Sequence, residues 1–333
     1  MAIKIIAELA QGFEGKPEQA RLLINAAAKA GADAAKFQLV YADELATPDY
    51  KYYDLFKSLE MSDEVWKGLA EYAAEQNIEL HLDIFGSRSL KLAENIGAKT
   101  IKLHGTDIAN TGLLNEVSKS SAECVFLGAG GAHLSELQNA LAVLKNKVVV
   151  ILLGFQGYPT PNDSNQVERV RLLKEKFDSA SYNVKIGFSD HSEPGSSLSI
   201  AMSAMAIGAG AKYIEKHLTL GKVMMLEDFE SALNPDEFYE FSKTLRDCDE
   251  ALGSASSEED FNMSESERGY RKMIRRHVVA SRDLVEGSIL QTFDLVLKRT
   301  SYEQIITDLK EVYDKKITNN ISRNSAITFK DLL

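Results

Sequence analysis

Residues 184–218, "VKIGFSDHSEPGSSLSIAMSAMAIGAGAKYIEKHL", decide the fold. An apolar run from Val184 to Phe188 gives way to the polar triplet Ser189-Asp190-His191, and a proline and a glycine then open a helix of small residues. Gly210 ends that helix, and a second apolar run, Lys212–Leu218, closes the stretch. A strand, a helix and a strand in this order form a crossover unit, which makes the two strands parallel.

The same unit recurs in both directions along the chain. Apolar, strand-like runs fall at Ile3–Ala10, Ala34–Val40, Ile78–Ile84, Thr100–His104, Cys124–Gly128 and Val148–Phe155 as well as the two just described. Segments with apolar residues at three- and four-residue spacing lie between them, such as Pro17–Ala30, Ser62–Gln76 and His133–Leu144. Gly31, Gly97 and Gly210 stand where helices should end. Eight such units in about 250 residues predict an α/β fold, the (β/α)8 TIM barrel. A doubly wound sheet is the alternative, but no GxGxxG follows any strand.

The eighth helix, about Pro235–Leu252, runs into the polar "GSASSEEDFNMSESERG". The reading is therefore a barrel over 1–253, a linker over 254–270 and a small C-terminal domain over 271–333. In that domain "VVASRDLVEGSILQTFDL" (278–295) and "KITNNISRNSAITFKDL" (316–332) form a loose repeat, with Leu284/Ile321, Asp294/Asp331 and Leu295/Leu332 each 37 apart. Two similar, mostly β halves are expected.

Composition excludes several classes. With 44% hydrophobic and 26% charged residues and 6 Pro, the 333-residue chain has the profile of a globular protein. Its longest apolar run, Val148–Leu153, is far too short to span a bilayer, and the first residues enter a strand without a basic, apolar leader. A cytoplasmic protein without a membrane partner is expected. Cys124 and Cys248 provide neither a disulfide framework nor metal-ligand spacing. A net charge of −11 argues against nucleic acid. Residues 262–333 carry 13 Lys/Arg against 10 Asp/Glu, which leaves 25 against 39 in residues 1–261, so an acidic body carries a slightly basic tail.

In such a barrel the C-terminal strand ends share one mouth, so polar residues scattered in sequence meet there. They are Glu8; Lys36 and Gln38; His81 and Asp83; Lys102 and His104; the glycine-rich 128–131; Gln156 and Tyr158; Ser189-Asp190-His191; and Glu215-Lys216-His217. Residues two apart share a strand face, which pairs Lys36 with Gln38 and Glu215 with His217. Inward lysines are costly unless paired or functional, and two of them suggest an anion. His191 and His217, on neighbouring strands, are either a hydrogen-bonded core pair or the two protein ligands of a divalent metal with positions open to water and a carbonyl.

These residues resemble the N-acetylneuraminate (sialic acid) synthase family over nearly the whole chain. "IIAELAQGFEG", "AGADAAKFQ", "IKLHGTDIANTGLL", "YPTP", "GFSDHS", "IEKHLT" and "RRHVVASRDLVEG" stand in the family's order, and the closing segment is similar to its antifreeze-like (SAF-type) domain. The resemblance implies condensation of phosphoenolpyruvate with the open-chain aldehyde of an amino sugar or aldose to a 2-keto-3-deoxy, nonulosonic acid. It implies a divalent metal, Mn²⁺ or Mg²⁺, on His191 and His217. Lys36, Lys102 and Ser189 would hold phosphoenolpyruvate, and Glu8 and Asp190 would move protons. Gln38, Tyr158, Glu215 and Asp228 would contact the sugar or order its ligands. Arg299 would reach the partner's barrel in a domain-swapped homodimer.

Departures from the family pattern are also legible. Gly12-Phe13-Glu14-Gly15 replaces Asn-His-x-Gly, Leu82-Asp83-Ile84-Phe85 replaces Ser-Thr-Pro-Phe, Gly128-Ala129-Gly130-Gly131 replaces Ser-Thr-Gly-Met, and Leu153-Gly154 replaces His-Cys. Asp83 would repel a phosphate unless protonated or paired with a lysine. Backbone N–H groups of the 128–131 turn could form an anion cradle in place of lost hydroxyls. A changed donor or acceptor, or a silent sugar-binding or regulatory homologue, are the competing readings; retention of Glu8, Lys36, Lys102, both histidines and Arg299 favours the enzyme. The 41–61 segment, rich in tyrosine, is expected to cover the mouth.

Overall fold

A computed structural model describes residues 2–154, 157–177, 183–195, 198–253, 262–302 and 306–333. The chain divides into two compact units, Met1–Gly253 and Ser254–Leu333. In the first, eight parallel strands close into a barrel in sequence order: β1 (Lys4–Ala10), β2 (Ala34–Gln38), β3 (Glu79–Ile84), β4 (Thr100–Leu103), β5 (Cys124–Gly128), β6 (Val148–Gly154), β7 (Val184–Asp190) and β8 (Tyr213–His217). Each of the runs read as a strand is one. The run beginning at Val184 continues through Ser189 and Asp190 instead of stopping at Phe188, so the alternation of a strand governs the polar triplet.

Alternation builds two separate cores. Outward residues such as Ile5, Ala7, Phe37, Leu82, Ile101, Val125, Ile151 and Ile214 pack with the helices in the main apolar cluster. Inward Ile6, Ala34, Phe126, Val150 and Leu152 form a smaller plug inside the barrel, with Cys124 and Tyr213 against it. Burial pushes the Cys124 thiol up to about 12, leaving it an unreactive packing group. The helix Asp63–Glu75 shows how the outer layer forms: Ser62 accepts a hydrogen bond from the Val65 amide at its start, and Trp66, Leu69 and Ala73 are buried on one face. Trp66 meets Phe13 and Phe37 edge-on with ring centroids 5.5 and 6.0 Å away. Gly31, Gly97 and Gly210 have φ of 79°, 77° and 111°, which side chains avoid, and this is why glycine terminates those helices.

The 41–61 segment carries two short helices, Ala42–Leu45 and Tyr53–Ser58. Glu44 ties it to the helix Ser87–Asn95 by accepting from the amides of Arg88 (2.6 Å) and Ser89 (3.1 Å). No helix among the described residues is long and apolar enough to cross a membrane.

In the second unit the expected linker is shorter at its C-terminal end than 254–270, because Ser264 caps a helix, Glu265–Ile274, in a reciprocal Ser264/Glu267 arrangement. Residues 254–261 lie outside the described residues. β9 (His277–Ala280) and β10 (Leu295–Lys298) pair antiparallel. The repeat is visible in the backbone. Leu284 bridges Ile321, and Asp294 and Asp331 close matching short turns by accepting from the amides of Gln291 (2.9 Å) and Thr328 (2.8 Å). A separate apolar core of Val278, Leu284, Leu290, Ile317, Ile321 and Ile327 lies beneath.

Candidate active site

Above the apolar plug, the last inward layer of the barrel is charged. β1, β2, β3, β4 and β8 bring Glu8, Lys36, Asp83, Lys102 and Glu215 together, because their registers align Glu8 with Lys36, Gln38 with Asp83 and Asp83 with Lys102. Lys36 donates to Glu8 and to Asp83 (3.0 Å) and lies 3.4 Å from Glu215. Lys102 donates to Glu215 (2.9 Å) and stands 3.7 Å from both Glu8 and Asp83. Two ammonium groups thus alternate with three carboxylates. Pairing with both lysines answers the charge problem that Asp83 posed.

Burial disfavours the charged Lys36 amine, but the charges of Asp83, Glu215 and Glu8 outweigh it and raise its pKa well above the usual lysine range. For Glu215 burial is likewise outweighed, here by Lys102 and Lys36, so its carboxyl is held below the usual range. Glu8 goes the other way. Burial raises it, Lys36 opposes, and the neighbouring charges of Glu215 and Asp83 push it further up. Glu8 is thereby displaced toward its protonated form.

These groups floor a cavity of about 500 Å³ whose lining includes Gln38, His104, Thr106, Gly128, Gly130, Gly131, Gly154, Tyr158, Ser189, His191 and His217. Lys36 is fully enclosed beneath it. Ser189 donates to Glu215 (2.8 Å), and Gln38 accepts from Gln11 (2.7 Å). The glycines allow neighbouring strand ends to come close: a Cβ on Gly154 would sit 2.4 Å from the Ser189 Cβ, and one on Gly128 would sit 2.8 Å from the Gly105 nitrogen. No residue of the 41–61 segment lines the cavity, which corrects the expectation that it covers the mouth.

His191 and His217 face each other with ring centroids 5.2 Å apart, and Tyr158 packs edge-on against both at 5.0 and 5.7 Å. Burial lowers His191 to about 4 and, with the neighbouring His191, takes His217 well below its ordinary value, so both rings are neutral at pH 7. His191 Nδ1 lies 3.1 Å from the Ser189 carbonyl, which makes Nδ1 the protonated nitrogen and leaves the lone pair on Nε2. That is the form a metal accepts. Among the described residues no three His, Cys, Asp or Glu side chains form a metal-binding group, so two imidazoles are what the chain offers a cation here. Asp228 lies 3.8 Å from His217, and burial with the charge of Glu227 raises it to about 7.

One predicted site residue of the barrel is placed elsewhere. Asp190 does not face the mouth. In β7 it alternates with Ser189 and points outward, fully buried, to Ser192, Ser203 and Lys216, so it is no proton carrier for the cavity. Arg299 is an exposed residue of the second unit, just after β10. Thr106 and Gln11 were not foreseen. Thr106 follows a strand end that already carried Lys102 and His104, a usable signal; Gln11 had none.

A sequence model of the NeuB family matches residues 23–257. The chain is 30% identical to an uncharacterised protein of Methanocaldococcus jannaschii over 99% of its own length and 94% of that protein's. It is 26% identical to the N,N'-diacetyllegionaminic acid synthase of Legionella pneumophila, covering 100% of this chain and 95% of the other. Among solved structures, N-acetylneuraminic acid (sialic acid) synthetase from Leptospira borgpetersenii is similar with a TM-score of 0.73 and 27% identity, over 83% of this chain and 93% of that one.

Proposed function

Because the chain belongs to the NeuB family and is an enzyme of that sialic acid synthase-like type, we propose that it condenses phosphoenolpyruvate with the open-chain form of an amino sugar or aldose in the cytoplasm. The observation that carries this reading is the meeting, around one cavity, of a paired lysine–carboxylate floor and two neutral imidazoles. In the reaction the donor's C3 bonds to the aldehyde carbon, whose oxygen takes a proton. Water then adds at C2 and loses a proton, and the resulting intermediate breaks its bond to phosphate to leave the 2-keto acid. Lys102 is the ammonium group in the cavity lining and holds the donor's negative charge. Amides of the 128–131 turn offer further donors to it. Glu8, biased toward the acid, supplies the proton to the sugar oxygen. Gln38, Tyr158 and Asp228 orient the sugar, and Glu215 orders Lys102 and Ser189.

The residues fit a divalent metal, Mn²⁺ or Mg²⁺, held by His191 and His217 with its remaining positions left to water and sugar. When bound it would polarise the aldehyde carbonyl. The test is phosphate release from phosphoenolpyruvate over a panel of hexosamines and aldoses, with chelator and with Mn²⁺ restored. Chelation and His217→Ala are each expected to cost about 10²- to 10³-fold in kcat/KM, a few kcal/mol of electrostatic stabilisation. Full turnover in chelated protein would remove the metal from the reading.

For the second unit the proposal is an antifreeze-like domain exchanged within a homodimer, so that Arg299 completes the partner's site; its basic charge against the acidic barrel supports this. Mixing His217→Ala and Arg299→Ala chains under subunit exchange should restore about a quarter of the sites, since each mixed dimer regains one of two. No recovery would place the arginine in cis.

A further inference from the structure

The side chains that alternate with the site residues on β7 and β8 are as deliberate as the site itself. Asp190 and Lys216 are register partners, fully buried, and each immediately precedes or follows a cavity residue: Ser189 and His191 on one strand, Glu215 and His217 on the other. Asp190 accepts from the Ser192 amide (2.8 Å), the Ser192 hydroxyl (2.5 Å), the Lys216 ammonium (3.1 Å) and, from the helix Ser199–Gly208, the Ser203 hydroxyl (2.6 Å). Lys216 also donates to the Ser192 carbonyl (2.9 Å). Ser192 forms a bridge with Thr160, and the Thr160 amide donates to the His191 carbonyl (2.8 Å). One buried ion pair therefore fixes the end of β7, the end of β8 and the segment that carries Tyr158.

A buried ion pair is a poor device for stability alone, since apolar side chains of similar volume usually do as well. Its worth lies in direction. Every group of this cluster has a defined partner, so the backbone on either side of His191 and the residue preceding His217 have one arrangement available. We propose that Asp190 and Lys216 are positioning residues that set the separation and ring orientation of His191 and His217. In its metal-binding consequence the proposal rests on the reading given above.

The test compares Lys216→Met, Asp190→Asn/Lys216→Met and Ser203→Ala with the wild type. Three readouts are used: urea midpoint, Mn²⁺ affinity by electron paramagnetic resonance, and the ring-nitrogen NMR spectrum of the metal-free protein. Lys216→Met is expected to weaken Mn²⁺ binding about 10- to 100-fold, the usual cost of losing an outer-layer partner, and to replace the single Nδ1–H form of His191 by a mixture. The double variant, with no uncompensated charge, recovers the urea midpoint but neither the affinity nor the imidazole spectrum. Ser203→Ala, which removes one donor and strands no charge, shifts the His191 resonances in the same direction by less. A double variant that regains all three readouts would reduce the pair to a structural role, as would unchanged ring spectra in the single variants. A wild-type protein that binds no Mn²⁺ overturns the metal reading, and the imidazole spectra then decide the positioning claim by themselves.

Discussion

Lys102→Met is expected to lower kcat/KM for phosphoenolpyruvate about 10³-fold, with most of the loss in KM for that substrate. Lys36 is sealed beneath the floor and Lys102 is the ammonium group in the cavity lining, so a donor entering the cavity meets the charge of Lys102. A pair of unit charges about 4 Å apart at an effective dielectric of about 20 interacts by about 4 kcal/mol, which is close to a thousandfold. The variant should fold, because Glu215 keeps Ser189 (2.8 Å) and Lys36 (3.4 Å) as partners. Initial-rate kinetics with near-ultraviolet circular dichroism as the folding control check this. A loss of only a few fold would assign the anion to the amides of the 128–131 turn.

The larger structural effect belongs to Lys36→Met. Removing that ammonium leaves Glu8, Asp83 and Glu215 crowded around a methyl group, and breaking a buried pair from one side costs about 3–5 kcal/mol. The pH dependence gives the diagnosis. In the wild type Glu215 has a depressed pKa, so its contribution is present above the unfolded carboxylate value and is lost as pH falls below it. In the variant Glu8, already raised by burial, loses Lys36, the main charge opposing that rise, and so holds its proton more tightly folded than unfolded, while Glu215 keeps Lys102 (2.9 Å). The Glu8 contribution to stability then falls as pH rises from about 4.3 through its raised value. Urea unfolding at pH 5 and pH 8 should show the variant more stable at the lower pH. Parallel pH profiles for the two proteins would show that Lys36 does not compensate the cluster.

The barrel could be read from sequence because its signal is repeated: each strand is short, apolar and followed by a helical pattern, and eight weak signals agree. Period-two alternation also put Lys36 with Gln38 and Glu215 with His217 on inward faces, where they are found. The same rule excludes Asp190 from the face that holds Ser189 and His191, but only once the strand is known to continue past Phe188. Polarity had hidden that continuation, since a strand end facing a charged cavity on one side and a buried lysine on the other looks like a turn. The network around Lys36 was illegible for another reason. Its members come from five strands, and which carboxylate reaches which lysine depends on barrel register, which no local pattern encodes. Asp83 therefore looked like a repulsive intrusion, and only its neighbours show it to be one member of an alternating set.

The repeated halves of the C-terminal unit carry a consequence for folding. Leu284 pairs with its own counterpart, Ile321, and the turns closed by Asp294 and Asp331 are copies of each other. Self-pairing of equivalent positions is the contact that two identical peptides make across a twofold axis. The unit has the construction of two similar halves joined in one chain and paired through equivalent positions. Neither half is a folding unit alone, because each contributes only part of one apolar core, so a chain interrupted near residue 300 leaves both halves without a fold.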